Sequence, residues 1–370
     1  MKDLVHITKR PERSALSSLG LIAAALGLAI VAGGVFIALM RQNPLEVYAA
    51  IIKGAFVGSK RDPFSAIKST VILFVPLLIV SLGLSLAFKM RFWNIGGEGQ
   101  MMFGAIFATF FALNYSHLPH IVLVLLMFAA SVVGGGLWGL IPALFRVKWS
   151  VNETLFTLMM NYVALYTIEF LQAGPWKRTP GFASIGSFDA NVQLAKVGGV
   201  HVGWILALVL VVIVTVYMSR AKQGYEIAVV GESKATAHYA GMNVKKIVLR
   251  TMFISGAICG IAGMVQIAGS DNTLSTGLTG NAGFSGITVA WLAQLNPFAV
   301  AVISALFSIL EKGSKTIPVD VMSKEAANVL QGILLFFFLG AEFFRRYSIK
   351  INLPQKQVRH IQKEEEHADG

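Results

Sequence analysis

The chain is poor in cysteine and in charge. Cys259 is the single cysteine among 370 residues and lies inside an apolar run, which excludes internal disulfides and thiolate metal clusters. Charged residues make up 14% of the sequence against 55% hydrophobic, a balance that excludes an ordinary soluble domain. A phosphate-binding loop is also missing: GSKT at 313–316 has neither the adjacent Gly-Lys nor the spacing that cradles a nucleotide. No HExxH, nucleophile elbow or metal-ligand spacing occurs, so no catalytic residue, metal or cofactor is expected on this chain.

What the sequence has in place of these is a series of apolar runs long enough to cross a bilayer. They predict an all-α polytopic membrane protein with about ten transmembrane or re-entrant helices. The runs lie at about 16–40, 70–88, 95–115, 121–145, 153–171 and 202–218, in the glycine-rich stretch after Arg250, and at 326–344. The stretch ITVAWLAQLNPFAVAVISALFSILEKG reads either as one helix kinked at Pro297 or as two segments hinged at Asn296-Pro297. NPLEVYAAIIKGAFVG, before the second span, suits a short amphipathic helix in the outer interface.

The net charge of +12 is spread over the ends of these runs and not gathered in one patch, so membrane lipid and not nucleic acid is the expected partner. Most of the lysines and arginines fall on one side if the Asn296 hinge is counted, which places both termini in the cytoplasm of a multi-pass plasma-membrane protein. Residues 1–350 then form the transmembrane domain, with a basic cytoplasmic segment at 219–250. Residues 351–370, ending in KEEEHADG, form a charged cytoplasmic tail.

Polar residues inside such runs are costly unless they face protein or water. The stretch FWNIGGEGQ at 92–100 places Asn94, Glu98 and Gln100 around two adjacent glycines. Asn94 and Glu98 share a helical face if the helix starts early; Gly96 and Gly97 instead break it there and expose backbone groups, as at solute sites in transporters. Glu98 reads either as part of such a site or as an acid in the first helical turn. The fifth run repeats the theme with Glu153, Thr157 and Asn161 at every fourth position, a drift of about 40° per step that keeps all three on one face. The alternative there is Asn152 as helix cap, Glu153 as first-turn acid and Asn161 as interhelical glue. In the basic segment, Lys234 to Ala240 forms a short amphipathic helix closed by Gly241 and suited to docking on a soluble partner, with His238 on its surface.

Four segments together resemble the permease subunits of ATP-binding-cassette importers, in the family that includes branched-chain amino acid, ribose and nucleoside permeases, and within it the nucleoside branch that works with basic-membrane-protein-type lipoproteins. They are FWNIGGEGQ, VNETLFTLMMNY at 151–162, GYEIAVVGESKATAHYAGM with SGAICGIAGM at 224–264, and GFSGITVAWLAQLNP at 283–297. Ser285 departs from the pattern, because relatives often carry an acidic residue there.

The resemblance implies an alternating-access pore of two permease subunits, fed by an extracellular substrate-binding lipoprotein and driven by a separate ATPase that holds the ATP. Asn94, Glu98, Gln100, Thr157 and Asn161 would line or gate the path of a nucleoside, and Glu232, Ala235, His238, Tyr239 and Gly241 would couple to the ATPase. The alternatives are a sugar or branched-chain amino acid as solute, or a proton-coupled secondary transporter using Glu98 and Glu153.

Overall fold

The computed structural model describes residues 5–9, 15–58, 62–178, 181–317 and 347–351, with isolated residues between 326 and 340. Two units divide the chain, one made of residues 1–44 and 329–370 and the other of residues 45–328. In the first, β1 (Val5–Lys9) pairs antiparallel with β4 (Tyr347–Ile351), and α1 covers Ala15–Leu39. The expected last span at 326–344, the tail and most of the N-terminal basic cluster lie largely outside the described residues.

The second unit is a helical bundle. Its helices in chain order are α2 (Pro44–Phe56), α3 (Ser65–Lys89), α4 (Gly97–Asn114), α5 (His120–Trp149), α6 (Glu153–Ala173) and α7 (Gly203–Arg220). The basic segment holds α8 (Lys222–Glu232) and α9 (Lys234–Tyr239), after which α10 (Val244–Gln266) runs into a π-helical turn at Ile267–Asp271. The next apolar stretch is two helices, α11 (Ala282–Leu292) and α12 (Pro297–Lys315), because the Asn296 side chain accepts from the N–H groups of Phe298 and Ala299 and starts a new helix at Pro297. Among the described residues, six helices are long and apolar enough to cross a membrane, and up to seven if Gly27–Leu39 and Pro44–Phe56 count as one span.

The centre of the bundle is α10, packed on α3, α4 and α5. Its small residues explain the position. A methyl group on Gly260 would overlap the carbonyl oxygen of Ser131 in α5, and one on Gly135 would overlap that of Gly256, so the two backbones touch. Helix α6 is at the rim: 22% of its apolar window is buried, against 78% for α3 and α10.

Loops close the end of the bundle away from α9. The loop after α6 is laced to the π-helical turn by Phe188 N–H to Asn272 O (2.7 Å) and Leu194 N–H to Ala268 O (2.8 Å). It also carries a short hairpin of β2 (Lys196–Val197) and β3 (Val200–His201). The His201 ring is buried there with neither nitrogen hydrogen-bonded to a described residue, and desolvation pushes its pKa down to about 4.

Candidate functional site

The glycine pair breaks the chain before α4, so Asn94 precedes the helix and does not share a face with Glu98. Gly96 is the N-cap residue and has no side chain with which to cap the exposed N–H groups. Other residues supply the partners. Asn94 Oδ1 accepts from Gly96 N–H (3.0 Å) and from Gln100 Nε2 (3.1 Å). From α6, Asn161 Oδ1 accepts from Gly99 N–H (2.9 Å), while Asn161 Nδ2 donates to Ile95 O (2.9 Å). Thr157 Oγ1 accepts from Ile95 N–H (3.1 Å) and donates to Glu153 O (2.7 Å). From α10, Ser255 Oγ accepts from Asn94 Nδ2 at 3.4 Å.

Asn94, Gln100, Thr157 and Asn161 are therefore one buried network that fastens α6 and α10 to the break. Asn161 is thus interhelical glue, and the partner it holds is the broken backbone. Ser255 was not foreseen; it stands in a small-residue run that reads as a packing seam, and nothing local points to a partner 161 positions away.

Glu98 faces elsewhere. It lies in the first turn of α4, is 3% exposed, and is turned toward Thr279 and the N–H groups of Gly283 and Phe284 at the start of α11 without a hydrogen bond of good geometry. Glu153, by contrast, is paired with Arg146 (Nε–Oε2 3.1 Å), and Asn152 caps α6 by accepting from Thr154 and Leu155 N–H.

At the α9 end, Ser233 Oγ accepts from Thr236 N–H (3.2 Å) and Gly241, at φ +73°, closes the helix in a conformation that suits a residue without a Cβ. Glu232, Ala235, His238, Tyr239 and Gly241 are all exposed, Tyr239 at 94%. Only Ala237 turns inward, into an apolar cluster with Ala87, Met90, Phe92, Ile227, Val248 and Met252. Asn94 N–H donates to Phe92 O (2.9 Å), so the cluster beneath the exposed helix adjoins the polar network. Among the described residues no group of His, Cys, Asp and Glu is arranged to hold a metal.

A family model described as the branched-chain amino acid transport system / permease component matches residues 66–339. The glucose ABC transporter permease protein TsgB13 of Haloferax volcanii is 30% identical, over 87% of this chain and 87% of that protein. The guanosine ABC transporter permease protein NupP of Bacillus subtilis is 29% identical over 88% and 93%, and the nucleoside ABC transporter permease protein NupB of Lactococcus lactis 26% over 88% and 90%.

Proposed function

The chain belongs to the branched-chain amino acid transport system permease family of ABC transporters, and from that premise we propose that it is the pore-forming subunit of a nucleoside importer. Two of the three relatives named above are nucleoside or guanosine permeases, and a glucose permease is the third, so a ribose-bearing or sugar-like neutral solute suits the set. The chain pairs with a second permease subunit, receives solute from an extracellular lipoprotein, and docks a separate ATPase on α9.

The observation that carries this reading is the apolar cluster joining Ala237 to Phe92. Force on an exposed six-residue helix reaches the break before α4 through packed side chains, which do not deform continuously but switch between packings. The network of Asn94, Gln100, Thr157 and Asn161 holds the break closed. Glu98 is the polar group presented to solute when α4 and α11 part. The proton-coupled reading, which needs Glu98 and Glu153 together, is weakened because Glu153 is committed to Arg146.

Uptake of labelled guanosine and glucose in cells with and without the gene tests the proposal, under ATP depletion and separately under a protonophore that leaves ATP intact. Gene-dependent guanosine uptake that stops only when ATP falls is expected. Loss with the protonophore alone would reject it, and glucose uptake without guanosine uptake would move the solute to a sugar.

A further inference from the structure

A cavity of about 400 Å³ opens beside α9, between the turn after α3, the turn between α5 and α6, and the start of α10. Arg91, Arg146, Lys234 and Lys245 line it, with Glu153 as the one carboxylate. Arg146 is held in place by Glu153 and by donating from Nη1 to Ser150 O (3.3 Å) and Val151 O (3.4 Å). Among the described residues, Arg91, Lys234 and Lys245 form no ion pair. Four cations against one anion is a repulsive arrangement when the cavity is empty, and an anion relieves it.

The positions of two of these cations are set by helix ends. Arg91 and Ser150 close α3 and α5 with left-handed backbones, φ +57° and +55°, and these two turns bring Arg91 and Arg146 to one cavity. The deeper wall is apolar, from Met90, Phe92, Val147 and Val248. The cavity sits at the ends of α3 and α5, where spans meet the membrane edge, and Lys234 is the first residue of α9.

We infer that this cavity binds a phosphate group, and that its occupancy fastens α9 to the ends of α3 and α5. The phosphate comes from a phospholipid headgroup, whose acyl-chain stems would meet the apolar wall, or from free phosphate. The inference does not depend on which solute is carried.

The test uses the assembled, delipidated importer in detergent, titrated with short-chain phosphatidylglycerol and in parallel with inorganic phosphate, with bound molecules counted by native mass spectrometry. Wild type is compared with Arg91→Gln/Lys245→Gln and with Lys222→Gln/Lys246→Gln, which loses the same charge outside the cavity. Wild type and the control are expected to hold one phosphatidylglycerol more per permease than the cavity variant, which needs on the order of thirtyfold more lipid for the same occupancy. If the cavity double variant does not assemble, Lys245→Gln alone, at an exposed side chain, gives the comparison at roughly fivefold. Dependence on the cavity residues with inorganic phosphate but not with the lipid upholds the site and assigns it to free phosphate. Equal binding by all versions, equal loss in both double variants, or no binding of either probe overturns the inference.

Discussion

Along α10, Gly256 and Gly260 meet α5 backbone to backbone, whereas Ser255, the neighbour of Gly256, meets Asn94 through a side-chain hydrogen bond of 3.4 Å. The first contact is a seam with no room for a methyl group. The second belongs to a network in which each amide has a defined partner but the atoms can be exchanged for similar ones. Without water to drive apolar association inside a bilayer, close backbone packing holds the helices together, and polar pairs act mainly by the cost of leaving them unmade. The seam sets whether the bundle forms; the network sets where its broken backbone is held.

The comparison breaks most sharply at the seam. Gly260→Leu is expected to cost about 3 kcal/mol or more, at the upper end for overpacking, because the obstruction is the Ser131 carbonyl and not a movable side chain. Loss of monodisperse protein after solubilisation checks it, and a folded, transporting G260L would show that the seam yields.

A graded result is expected at the network. Asn161→Ala leaves Gly99 N–H and Ile95 O unpaired in a buried place, a cost of roughly 2 kcal/mol, with uptake falling at least tenfold. Asn161→Asp keeps the acceptor for Gly99 but loses the donor to Ile95, so its melting temperature and uptake should lie between those of wild type and N161A. If N161D matches N161A in both, the donor to Ile95 carries the whole effect and the distinction drawn between seam and network weakens.

Tyr239→Ala lies outside both regions and should leave the melting temperature unchanged, since the side chain is 94% exposed. Uptake and co-purification of the ATPase should nonetheless fall several-fold. Parallel assays of N161A and Y239A would then separate holding the break from moving it. Retained ATPase binding and uptake in Y239A would remove α9 from the coupling path.

The smallest effect on uptake belongs to the loop-covered end. His201 has a folded pKa of about 4, below its unfolded value near 6.5, so it is neutral when buried and the unfolded chain binds the proton first. Its stabilising contribution is complete above about pH 6.5 and is lost as pH falls from there toward 4. Melting at pH 7.5 and 5 should differ by at most about 2 kcal/mol through this group, and His201→Asn should reduce the difference. An unaltered difference in the variant would place the pH sensitivity elsewhere.

Much of the helical order is legible in the chain itself. Apolar runs bounded by Lys and Arg mark the spans, Asn152 and Asn296 mark helix starts by their capping chemistry, and Gly241 marks the end of α9, because each of these depends on residues within a few positions of one another. The same locality is why the sequence left Glu98 and Asn161 ambiguous. A carboxylate in a first helical turn and a polar stripe on a span have the same local pattern whether they face lipid headgroups, another helix or a solute.

Length, apolarity and local capping determined that this is a multi-span helical protein with a short helix in its basic segment, since those are properties of contiguous residues; the glycine pair at 96 and 97 left open whether the helix breaks there. Only the tertiary structure decided that Asn161 caps α4 from across a helix interface, that Ser255 joins Asn94, that Glu98 turns to α11 while Glu153 turns to Arg146, and that Ala237 and Phe92 share one cluster. Those pairings join residues far apart in the chain, and they exist because helix packing, set by where glycines let backbones touch, brings their faces together.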